Sequence, residues 1–139
     1  MTRKIGVGFD GSDSSRRALK EAIRLAVVDQ SSLEVISVEE LPRYAGTVGE
    51  VIEEQQTAND HVKKLHDEAR QIASEHQLVI QAVTRIGHPA KALVDYASQA
   101  KLDLLIIGHT GHSALWGSFL GTTADKVVRH APCSVLIVR

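Results

Sequence analysis

Aromatic residues make up 4% of this chain, and it has one cysteine, Cys133, in 139 residues. A lone cysteine excludes an intramolecular disulfide framework. Following Pro132 and preceding an apolar run, it reads as a small packing residue rather than a nucleophile. The sequence has no long apolar span and no charged-then-apolar leader, which is the expectation for a soluble, cytoplasmic protein without a membrane partner. Sixteen basic residues against seventeen acidic ones leave a formal charge of -1, so no global excess of charge favours nucleic acid. Internal repeats, linkers and low-complexity tracts are also lacking, and the length suits one domain over residues 1–139, long enough to bury about two thirds of its unfolded surface.

What is present is an alternation of short apolar runs with amphipathic ones. Ile5, Val7 and Phe9 alternate with glycines, and Asp10-Gly11-Ser12-Asp13 then supplies a turn and a helix cap. Ala18, Leu19, Ala22, Ile23, Leu25 and Ala26 mark the first helix. Leu33 to Val38 reads as a buried strand, and Thr47-Val-Gly-Glu50 as a capping box opening a long helix through Ala73. His61, His66 and His76 are read as parts of that long polar helix needing no further explanation. Leu78 to Ile86 is expected to be a third strand, with Gly87-His88-Pro89 ending it and Pro89 opening a helix. Leu104 to Ile107 is the fourth strand, Thr122 to His130 a short helix, and Ser134 to Val138 the last strand. Strands alternating with helices predict a single-domain α/β fold, an open Rossmann-like parallel sheet of about five strands with helices on both faces.

The stretch from Leu102 to Thr123 organises the rest. A buried strand runs into Gly108, Gly111 follows after two residues, and Gly121 stands directly before Thr122 and Thr123. Glycines let backbone N–H groups approach a ligand, and a helix N-terminus attracts anions, so this is the layout of a phosphate cradle. Gly6-Val-Gly-Phe-Asp-Gly11 also matches the dinucleotide fingerprint, but apolar alternation continues to Phe9, whereas the fingerprint's first glycine ends its strand. A tight strand packed near a helix explains Gly6 and Gly8 instead. His109 and His112 lack the companions a zinc site needs and read as solvated loop histidines near an anion; no metal ligand is assigned. Ala114, Leu115, Trp116, Phe119 and Leu120 are read as a small core beneath the loop, with a partner surface as the other reading.

Gly108, Gly111, Gly121 and Thr122 at this spacing, Gly-x2-Gly-x9-Gly-Ser/Thr, resemble the nucleotide signature of the universal stress protein family. Asp10-Gly11-Ser12, Gly87-His88-Pro89 and Pro132-Cys133-Ser134-Val135 are similar to further landmarks of its members. The resemblance implies an adenine nucleotide alpha hydrolase-like fold with the first and fourth strands as neighbours, and a stress-response role. It also implies ATP, with Mg2+ admitted beside it, in a cleft of Asp10, Val38, Gly108, Gly111, Gly121, Thr122 and Thr123. Asp10 would lie beside the adenosine, and Val38 would touch the adenine through its backbone. A homodimer through the last strand, Val135 to Val138, is implied as well.

Two other functions stay open: an ATP-independent dimeric interaction module, and a slow ATP hydrolase or phosphotransferase. Between Leu102 and Ala124 the only charged residue apart from histidine is Asp103, placed before the strand at its far, amino end. Phosphoryl transfer needs charge neutralisation on the transferring group, so a held ligand fits better than catalysis. No catalytic residue is assigned.

Overall fold

The computed structural model describes residues 2–40, 48–110 and 120–139. In chain order the elements are β1 (Lys4–Gly8), α1 (Asp13–Asp29), β2 (Ser32–Glu39), α2 (Val48–Ser74), β3 (Gln81–Ile86), α3 (Pro89–Gln99), β4 (Leu104–Gly108), α4 (Thr122–His130) and β5 (Ser134–Val138). Every pairing is parallel, and the sheet runs β3-β2-β1-β4-β5. The expected α/β architecture is therefore observed, with β1 between β2 and β4.

Local chemistry sets the helix ends. Ser12 Oγ accepts the Ser15 N–H at 3.2 Å and starts α1, while Gln30 ends it in the left-handed region at φ 55°. Pro89 occupies the first turn of α3, where a missing N–H costs nothing. Thr47, the expected cap of α2, lies outside the described residues.

The two sheet faces divide the core. Ile5, Val7, Leu33, Val35 and Ile106 pack with α1 and α2 on one side; Ile36, Leu105 and Ile107 pack with α3 and α4 on the other. Fully burying an aliphatic side chain of this size contributes about 1.5 to 3 kcal/mol, so these strands hold without aromatic bulk. Gly6 lies inside β1, where a Cβ would come within 2.6 Å of Leu102 Cδ1. Its role is close packing, not the turn of a dinucleotide fingerprint. Cys133 is a half-buried free thiol, pushed up in pKa chiefly by burial, which keeps it protonated and unreactive. Tyr96 packs its ring beneath Arg85, 4.7 Å from the guanidinium carbon, and burial, then Glu34, raises its hydroxyl to about 12.

Three expectations are corrected. The third strand begins at Gln81 rather than Leu78, because the Leu78 N–H is spent on the Ala73 carbonyl that closes α2. His76 falls in the turn after α2. His66, read as a helix residue needing no further explanation, is buried on α2 beside Leu65 and Ala69, and its Nε2 has no partner.

Desolvation, aided by Arg70, lowers the His66 pKa below 6.5 against the opposing pull of the Val83 backbone and Asp67. The fold thus requires the neutral ring. Stability is full above the unfolded value of about 6.5 and is lost as pH falls from there toward the lower folded value. The urea midpoint should hold from about pH 8 to 7 and drop between about pH 6.5 and 5, with a smaller drop in His66→Gln. An equal drop in the variant would assign the effect to other groups.

Candidate functional site

The chain proceeds from β1 outward to β2 and β3, then returns to β4 on the opposite side of β1. The switch point therefore lies between β1 and β4, and a crevice opens beyond their carboxyl ends, as such topologies dictate. Asp10 follows β1 and Gly108 ends β4, so the two expected neighbours flank it. Asp10 is exposed; its Oδ1 accepts the Ser12 N–H at 2.9 Å, and its own N–H donates to Ser15 Oγ at 3.3 Å. Between them Gly11 adopts φ +81°, a conformation that a side chain disfavours, and a Cβ there would meet Leu65 Cδ2 at 2.8 Å.

Gly108 is glycine for a reason that its spacing did not reveal. A Cβ at this position would lie 2.3 Å from Ser14 Oγ, 2.7 Å from the Ser14 carbonyl carbon and 2.8 Å from its oxygen. The first turn of α1 sits directly on the end of β4. Ser14 is the residue that sequence reasoning passed over; its position in the first turn of a helix carried no signal of a partner far along the chain. Its hydroxyl accepts the Thr110 N–H at 3.3 Å and lies 3.3 Å from His109 Nδ1. With the oxygen accepting from Thr110, the hydroxyl proton is available to Nδ1. His109 is thus half-buried and held on α1, not a solvated loop residue.

The segment after β4 returns to where it left. His109 donates its N–H to the Val138 carbonyl at 2.9 Å, and Gly121 donates to the His109 carbonyl at 2.7 Å. This second bond brings the N-terminus of α4 against the end of β4. Gly121 is the N-cap, at φ −62° and ψ 160°, and supplies no capping side chain. Thr122, Thr123 and Ala124 therefore occupy the first turn, where N–H groups have no intrahelical acceptor and the positive end of the helix dipole is exposed. Asp125, the first-turn acid, is paired with Arg129 at 3.1 Å.

Val38 lies across the crevice on β2. Phe9 donates its N–H to the Ile36 carbonyl at 2.9 Å, and Gly87 donates to the Glu39 carbonyl at 2.9 Å. Backbone groups of a parallel strand alternate sides, so those of Val38 point toward β1, past the place where β1 ends. Asp10, Val38, Gly108, Gly121, Thr122 and Thr123 thus belong to one end of the sheet. Gly111, His112 and the apolar residues Ala114 to Trp116 and Phe119 lie outside the described residues. Leu120 is 45% exposed. Among the described residues no cluster of three or more His, Cys, Asp or Glu side chains is arranged to hold a metal ion.

The family model for the universal stress protein family matches residues 1–139. A universal stress protein of Methanocaldococcus jannaschii is 32% identical, over 100% of this chain and 83% of its own length. Universal stress protein UspA from Lactobacillus plantarum superposes with a TM-score of 0.90 at 27% identity, covering 99% of this chain and 97% of that one. A universal stress protein solved in complex with cAMP superposes with a TM-score of 0.77 at 29% identity, covering 99% and 97%.

The seating of α1 on Gly108 is testable. Gly108→Ala forces a methyl group into the Ser14 backbone and should destabilise the protein by about 1 to 3 kcal/mol, the usual cost of overpacking, read as a lowered urea midpoint. An unchanged midpoint would mean that the helix can withdraw freely.

Proposed function

The chain belongs to the universal stress protein family, and from that premise we propose that it holds ATP in the crevice beyond β1 and β4 as a regulatory ligand in a stress response. The observation that carries this reading is the glycine-capped N-terminus of α4, drawn against the end of β4 with its first-turn N–H groups open. The cAMP-bound relative supports an adenine nucleotide as the ligand class.

In this reading Thr122 and Thr123 meet the phosphates through N–H and hydroxyl groups, Gly111 and Gly121 keep side chains out of the cradle, and Gly108 ends β4 at its wall, its missing side chain leaving room for Ser14. Asp10 stands beside the adenosine, and Val38 offers backbone N–H and C=O to the adenine edge. Magnesium accompanies ATP through phosphate oxygens, the usual manner for this hard cation, rather than in a cage of side chains. Arg129 is engaged by Asp125 within α4, and Asp103 accepts the Lys4 N–H at the amino end of the sheet. Among the described residues the site therefore supplies donors that hold charge and no side chain placed to neutralise it during transfer, which favours retention over turnover. The setting is cytoplasmic.

Gly121→Val should weaken ATP binding at least about tenfold, or about 1.4 kcal/mol, with a melting temperature near that of the parent, since the backbone there is extended and accepts valine. Calorimetry beside thermal melts reads both quantities, and undiminished binding would remove α4 from the site.

We also propose a homodimer through β5. This strand is a sheet edge, half-buried along Val135 to Val138, and edges are usually paired, covered or charged. Sedimentation should give a dimer at about tens of micromolar; a monomer there would exclude this pairing.

A further inference from the structure

A serine interrupts the apolar run of β2. Ser37 is 2% exposed, and its hydroxyl donates to the Phe9 carbonyl at 2.6 Å. The register makes this bond unusual. Gly8 pairs with Ile36, which sets Phe9 opposite Ser37, and Phe9 donates normally to the Ile36 carbonyl. In a parallel ladder the return bond would run from the Val38 N–H to the Phe9 carbonyl. That bond is not formed, and the Phe9 carbonyl accepts the serine hydroxyl instead.

We infer that Ser37 is a positioning residue that withholds the Phe9 carbonyl from Val38 and so keeps the Val38 N–H and C=O together, open toward the crevice, as a reader of the nucleobase. This rests on the reading of the crevice as an adenine-nucleotide site. A donor N–H beside an acceptor C=O matches the edge of adenine, which offers N1 as acceptor and the 6-amino group as donor. Hypoxanthine and guanine present the reverse, an N1–H donor beside a carbonyl oxygen, and would oppose donor to donor and acceptor to acceptor. A site built this way rejects the mismatched base because its own polar groups are left unpaired. Without the hydroxyl, the Phe9 carbonyl recruits the Val38 N–H back into the ladder, and half of the reading pair is lost.

The experiment combines amide hydrogen exchange with the affinities of AMP and IMP, which differ only at this edge of the base. In the parent, the Val38 amide should exchange at least about tenfold faster than that of Ile36, which lies within the paired stretch. AMP should bind at least about tenfold more tightly than IMP. Ser37→Ala should slow Val38 exchange by about tenfold or more and bring the AMP to IMP ratio toward one. Ser37→Thr, which retains a hydroxyl, should keep both parental values, and Ser37→Cys, with a weak thiol donor, replaces the alanine variant should that variant not fold. A Val38 amide as protected as that of Ile36 in the parent, or a ratio unmoved in Ser37→Ala, would overturn the assignment. A parent that binds neither nucleotide would overturn the adenine reading, while the exchange data decide separately whether the ladder bond is diverted.

Discussion

Ser14 stands where a side chain on Gly108 would have to go, and much of the site's geometry follows from that approach of a helix to the end of a strand. Because the first turn of α1 rests on β4, the chain leaving β1 must turn sharply within Asp10-Gly11-Ser12, and Gly11 takes a left-handed φ to do so. The same serine then anchors the outgoing side of β4 through Thr110 and His109. One contact thus couples the two strand ends that flank the crevice. Any nucleotide bound there would meet walls held by backbone packing rather than by adjustable side chains.

The donors around the crevice divide into two groups. Those of Phe9, His109, Thr110 and Gly121 are committed to protein acceptors and shape the walls. Those at the start of α4 have no intrahelical acceptor, and the Val38 N–H makes no ladder bond to Phe9. A serine hydroxyl intervenes twice, at Ser14 to hold the loop and at Ser37 to occupy a carbonyl. Buried carbonyls and N–H groups demand partners, so a short hydroxyl can redirect the backbone wiring of a sheet without altering its outline.

Away from the crevice His66 is buried on α2, and Tyr96 of α3 packs its ring beneath the exposed Arg85 of the edge strand β3. At the opposite edge β5 has no neighbouring strand among the described residues.

The sequence alone determined the elements and their succession. Periodicity, the Ser12 cap, Pro89 at a helix start and the last strand at Ser134 all express preferences local to a few residues, and the structure carries each of them. The glycine spacing after β4 and the run of family landmarks were likewise legible, because a motif is itself a local pattern. Tertiary structure alone decided that Gly108 is emptied for Ser14, 94 positions earlier in numbering, and that Val38 faces a gap. It also decided that His66 is buried and that Leu78 caps a helix instead of entering a strand. In each case the deciding partner is remote in the chain or belongs to a neighbouring element. A pattern read along one segment reports which face is apolar, not which distant atom will occupy the space beside it.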